Sequence, residues 1–84
     1  MMQVQVRLFA TYREIVGAGQ LAWTLRDGTT VGQLVEAVLA KYPRLVGHGN
    51  RMLLAVNHEV VRSESVLREG DEVALLPPVS GGAR

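Results

Sequence analysis

The chain has 84 residues, 48% of them hydrophobic, which suits one globular domain around one core and leaves little material to wall off a deep active site. Nine Lys and Arg against eight Asp and Glu give a formal net charge of +1 with the signs interspersed, so there is no electrostatic footprint for nucleic acid or an anionic membrane. Cysteine is missing, which excludes disulfides, thiolate metal sites and thiol nucleophiles, and no apolar run approaches the roughly 20 residues that span a bilayer.

The opening stretch MMQVQVRLFA lacks a basic head followed by an apolar run, so no secretory signal is read there and a cytoplasmic protein is expected. Val4, Val6 and Leu8 alternate with Gln3, Gln5, Arg7 and Phe9, the period of a strand with one buried face. Phe9 falls on the solvent side of that pattern. TYREIVGAG is mixed and ends in glycines, which reads as a turn or short helical loop. Leu21, Trp23 and Leu25 then alternate through a second strand, a hairpin partner for the first, stopped by Asp27-Gly28.

Val31, Leu34, Val35, Val38, Leu39 and Tyr42 form a single apolar stripe at helical spacing. Thr30 and Gln33 have capping-box spacing at its start, and Pro43 ends it near Tyr42. PRLVGHGNR reads as a loop and MLLAVN as an apolar run suited to a central strand. Asn57-His58 turns into a short strand from Glu59 to Val61, RSESVL is a connection with room for one 3₁₀ turn, Glu69-Gly70-Asp71 is a turn, and Glu72 to Leu76 is the last strand.

One helix can cover only one face of a sheet, so the expected fold is an α+β two-layer domain with a mixed sheet of four to five strands. Val4, Val6, Leu8, Leu21, Trp23, Leu25, the helix stripe, Val73 and Leu75 make its expected core. The order of strands and helix resembles the β-grasp arrangement of ubiquitin. The domain is expected over residues 1–76, with an extended tail over 77–84.

Little here suggests catalysis. His48 and His58 lie in no metal-ligand spacing, Ser63, Ser65 and Ser80 lack an activating turn, and no glycine-rich loop opens a helix. No catalytic residue and no metal ligand is assigned. Three features stand out instead. Alternation puts Phe9 and Leu76 on the sheet face away from the helix, joined by Val60, a clustered apolar patch suited to docking. Pro77-Pro78 fixes φ twice just after the last strand and sends the chain out of the domain in a set direction. Gly81 and Gly82 have no side chains, so this backbone can thread a narrow channel. From Pro77 to Gly82 an extended chain reaches roughly 20 Å, enough to enter a neighbour's active site.

RLFATYREIVG, DGTTVGQLVEAV, LLAVNHEVV and especially EGDEVALLPPVSGG resemble the small subunit of molybdopterin synthase, a ubiquitin-like sulfur carrier, over residues 4–82. The related carrier of thiamine thiazole synthesis is usually shorter and lacks the PPVSGG ending. The resemblance implies that a ubiquitin-activating-like adenylyltransferase uses ATP and Mg²⁺ to adenylate the carboxylate of Gly82. Sulfur then displaces AMP and leaves a thiocarboxylate. It further implies that Pro77, Pro78, Val79, Ser80, Gly81 and Gly82 enter the large subunit of a heterotetramer, where sulfur passes to cyclic pyranopterin monophosphate. The catalytic residues belong to that subunit, and this chain binds no cofactor of its own. Phe9, Val60 and Leu76 match the family's docking positions, and Arg13 matches a partner contact near the tail's exit.

Carriers of this kind end at the second glycine, whereas this chain continues with Ala83-Arg84. A trimming protease is the expected remedy; residues foreign to the native chain, or a domain that has left sulfur carriage, are the other readings. Competing functions are a ubiquitin-like modifier joined through Gly82 to lysines, a sulfur carrier for thiamine or tRNA thiolation, and a pure interaction module.

Overall fold

A computed structural model describes residues 1–48 and 51–78. Strand β1 (Met2–Leu8) pairs antiparallel with β2 (Gln20–Leu25), from Met2 opposite Leu25 to Arg7 opposite Gln20. Its even residues Met2, Val4, Val6 and Leu8 are all buried, as the alternation requires. The link between these strands takes the helical of its two expected forms. Ala10–Val16 forms helix α1, closed by Gly17 at φ +87, whose N–H donates to the Arg13 carbonyl at 2.8 Å. Tyr12, on its inner side, is fully buried.

Helix α2 (Val31–Lys41) covers the inner face with Val31, Leu34, Val35 and Val38. The capping box forms: the Gln33 N–H donates to Thr30 Oγ1 at 3.2 Å, and the Thr30 N–H to Gln33 Oε1 at 3.0 Å. The remaining donors of the first turn are also taken up. Val31 N–H donates to the Ser65 carbonyl at 2.9 Å and Gly32 N–H to the Ser63 carbonyl at 2.8 Å, tying the helix start to the segment before the last strand.

Gly32 permits that contact. A Cβ there would stand 3.0 Å from Ser63 Cβ and 3.2 Å from its carbonyl oxygen. Gly32→Ala is therefore expected to lose roughly 1 kcal/mol net, because overpacking against backbone outweighs the gain in helix propensity. Urea unfolding reads it; an equal or higher midpoint would show that residues 63–65 give way.

A 3₁₀ helix over Pro43–His48 replaces the expected loop, because Leu45 is drawn fully into the core. Strand β3 (Leu53–Val56), β4 (Glu59–Val60) and β5 (Glu72–Leu76) complete a mixed sheet in the order β2-β1-β5-β3-β4. β5 runs parallel to β1 and antiparallel to β3. β5 takes the centre of the sheet, flanked by β1 and β3, so the apolar run of β3 is an interior strand as expected; its outer neighbour is the two-residue β4, which stops one residue short of the expected end at Val61. The 61–68 connection contains no 3₁₀ turn; it makes an antiparallel bridge, Thr30 to Val66, and buries Leu67. Leu21 and Trp23 are half-buried, since β2 is an edge, and the Lys41 ammonium stands 5.5 Å over the Trp23 ring. Among the described residues no helix is long and apolar enough to cross a membrane.

Candidate functional site

The face of the sheet away from α2 is built from the alternate residues of four strands. Register sets Arg7 beside Ala74, Ala74 beside Ala55, Ala55 beside Val60, and Leu76 beside Leu53. The two alanines make a low floor between larger neighbours, so this face holds a depression of about 290 Å³. Phe9, Val60 and Leu76 all line it, together with Ala55 and Ala74. Val60 is 78% exposed and Leu53, next to Leu76, 42% exposed, a high cost in bare apolar surface for a small domain. Such a hollow is too small and open for a large cofactor; it matches an inserted side chain.

Its rim is polar. Arg7 Nη1 donates to Glu72 Oε2 at 3.0 Å, and His58 Nε2 lies 3.6 Å from Glu72 Oε1. The Arg7 guanidinium also stands 5.5 Å over the Phe9 ring. Asn57 and His58 occupy the left-handed region at φ 52 and 73, the geometry of a tight hairpin turn. That turn is pinned to β5: Asn57 N–H donates to the Glu72 carbonyl at 2.8 Å, and Glu72 N–H to Asn57 Oδ1 at 3.0 Å. Ala10, at φ 50, turns the chain out of β1 directly after Phe9 and leaves that ring at the end of the sheet.

The tail begins at the same end. Leu75 pairs with Leu8 in the parallel register, so Leu76 comes level with Phe9, and the half-buried Pro77 and exposed Pro78 follow at once. Val79, Ser80, Gly81 and Gly82, with Ala83-Arg84, lie outside the described residues. Arg13 is not brought to the depression. It is exposed on α1 with its side chain along Gly19, where a Cβ would meet Arg13 Cδ at 3.1 Å. A second hollow, of about 620 Å³, lies between α2, the 3₁₀ helix and β3, and among the described residues no predicted site residue lines it.

Alternation identified Phe9 and Leu76, with Val60 joining them, but not the rest of this face. Arg7 and Glu72 were legible by the same parity, since Arg7 shares the Phe9 side of β1 and Glu72 the Leu76 side of β5. Leu53 gave no such signal, because a continuous apolar run does not say which side faces water.

A model of the ThiS family matches residues 6–82. The chain belongs to the ThiS family. Among its relatives, the molybdopterin synthase sulfur carrier subunit of Mycobacterium tuberculosis is 40% identical, with 98% of this chain and 100% of that one covered. The protein of the same name from Chlamydomonas reinhardtii is 37% identical over 96% and 100%. Small archaeal modifier protein 3 of Haloferax volcanii is 35% identical over 96% and 100%.

Solved structures place this ThiS-family chain in the ubiquitin-like β-grasp fold. The crystal structure of H. volcanii small archaeal modifier protein 1 superposes with a TM-score of 0.86 at 25% identity, covering 94% of this chain and 100% of that one. A complex of subunits 1 and 2 of molybdopterin-converting factor from Helicobacter pylori contains a chain at TM-score 0.70 and 26% identity, over 96% and 100%. The expected α+β fold and family are thus both met.

Proposed function

We propose that this chain is the sulfur carrier subunit of a molybdopterin synthase. One observation carries the reading beyond family membership: β5 supplies Leu76 to the apolar depression and passes directly into Pro77-Pro78 at the same end of the sheet. A partner seated over Phe9, Val60 and Leu76 would therefore receive the tail without any rearrangement of the domain. The H. pylori complex of subunits 1 and 2 supports a second subunit as the partner.

In this reading the chain is a reagent held by other proteins. A carboxylate is a poor electrophile, so the adenylyltransferase makes Gly82 an acyl-adenylate from ATP, with Mg²⁺ and release of pyrophosphate. A sulfur nucleophile attacks the carbonyl, AMP leaves, and the thiocarboxylate is then presented to cyclic pyranopterin monophosphate on the large subunit. Gly82 can react only with a free carboxylate, so Ala83 and Arg84 have to be removed first. The body contributes the docking face and the stiff tail base, and general acid and base chemistry belongs to the large subunit.

A chain ending at Gly82, incubated with its adenylyltransferase, ATP, Mg²⁺ and sulfide, is expected to gain the mass difference between one oxygen and one sulfur. No gain, with the adenylyltransferase active on another carrier, would rule the reading out. The likeness to the H. volcanii modifier protein favours a second reading, conjugation through Gly82 to lysines of other proteins. Isopeptide-linked adducts in lysate of the native host, absent when Gly82 is deleted, would establish it.

A further inference from the structure

We propose that Arg7 is a positioning residue that holds Phe9 in the orientation the partner meets. The inference rests on the reading that the Phe9 face docks the large subunit, and it concerns how that face is kept ready. Phe9 is the last residue before α1 and only half-buried, so its ring has little packing of its own to fix it. The guanidinium of Arg7, two residues earlier on the same side of β1, stands 5.5 Å over that ring. A planar cation on an aromatic face restrains both groups.

Arg7 is itself anchored. Its Nη1 donates to Glu72 Oε2 at 3.0 Å while His58 approaches the other carboxylate oxygen at 3.6 Å. The backbone of Glu72 is fixed in turn by both of its bonds to Asn57. The brace therefore runs from the hairpin turn through Glu72 and Arg7 to Phe9, and joins residues 65 apart in sequence. Because Glu72 already neutralises Arg7, the pair has no need of a charged group on the partner. Its contribution is to order the ring beforehand, which spares the cost of immobilising a side chain on association.

Phe9 is the only phenylalanine, so selectively ¹³C-labelled phenylalanine reports a single ring by NMR. Arg7→Gln is expected to increase ring averaging and to weaken binding to the large subunit by about threefold to tenfold. Glu72→Gln should act in the same direction, and Arg7→Gln/Glu72→Gln should bind no more weakly than Arg7→Gln alone. The exchange Arg7→Glu/Glu72→Arg should recover the unfolding midpoint but neither ring order nor affinity, since the cation no longer lies over Phe9. Recovery of affinity in the exchange would make the pair an ordinary structural ion pair and overturn the proposal. Weaker binding with an unchanged ring would mean direct contact of Arg7 with the partner, and would also overturn it. Unchanged ring and affinity in Arg7→Gln, with binding lost in Phe9→Asp, would overturn positioning and leave docking intact. No loss in Phe9→Asp would remove both.

Discussion

Phe9→Asp is expected to weaken binding to the large subunit by at least a hundredfold while moving the unfolding midpoint by no more than a few degrees. The fold should tolerate it because Phe9 is half-buried, lies on the face away from α2 and belongs to no part of the main core. Binding should not. The substitution removes an aromatic anchor from the apolar patch and introduces a second carboxylate near the Arg7–Glu72 pair. The Arg7 guanidinium, which stands over the Phe9 ring, already bonds Glu72 at 3.0 Å and cannot serve both carboxylates fully. Whichever carboxylate loses Arg7 is then covered by the partner without that guanidinium, at a cost of about 2–5 kcal/mol, or a factor of roughly 30 to several thousand in affinity, to which the lost aromatic contact adds. Calorimetric titration of the variant against the large subunit decides it. A Kd within threefold of the wild type, with the variant folded, would show that the partner binds elsewhere.

The same face shows how much of this protein could be read before any coordinates. Where one side of a strand is wet and the other packed, parity assigns each residue, so Val4, Val6 and Leu8 went inward and Phe9 outward. The helix was equally plain, since its stripe, capping box and terminating proline agree with one another. The elements read less fully are those fixed by distant contacts. α1, expected only as a turn or short helical loop, is seven residues long and buries Tyr12 alone, too short for a period to register. Leu45 looked like part of a glycine-containing loop, yet it is fully buried and Pro43–His48 forms a 3₁₀ helix around it. The bridge at Val66 and the burial of Leu67 depend on α2 lying against that segment, through Leu67 N–H to the Thr29 carbonyl at 2.9 Å. At the site, parity found the apolar members, while the Arg7–Glu72 pair needed β5 to lie parallel beside β1. Nothing local encodes that neighbour relation.

Tyr12 supplies the sharpest test of α1 as part of the core. It has 0% exposure and its ring meets that of His48 edge-on at 5.4 Å, so it joins α1 to the 3₁₀ helix. Tyr12→Ala should cost about 3–5 kcal/mol, a large share of the roughly 5–10 kcal/mol expected for a domain this small. Chemical denaturation should then find the variant partly unfolded near body temperature. Tyr12→Phe should do the reverse. Among the described residues the Tyr12 hydroxyl is buried with no hydrogen-bond partner, so deleting it removes a desolvated group and should leave stability equal or higher. Burial also pushes the Tyr12 hydroxyl above the ordinary tyrosine value, an effect only partly offset by the Arg51 guanidinium. The unfolded chain loses this proton near pH 10 and the folded chain at higher pH. Between those values the unfolded state binds fewer protons, and stability falls as pH rises. This contribution is fully present below pH 10, lost progressively above it in the wild type, and missing in Tyr12→Phe. Parallel denaturation curves from pH 8 to 11 compare the two proteins. An alkaline loss equally steep in Tyr12→Phe would mean that this hydroxyl is not shielded, and that α1 packs less closely on the 3₁₀ helix than the ring geometry requires.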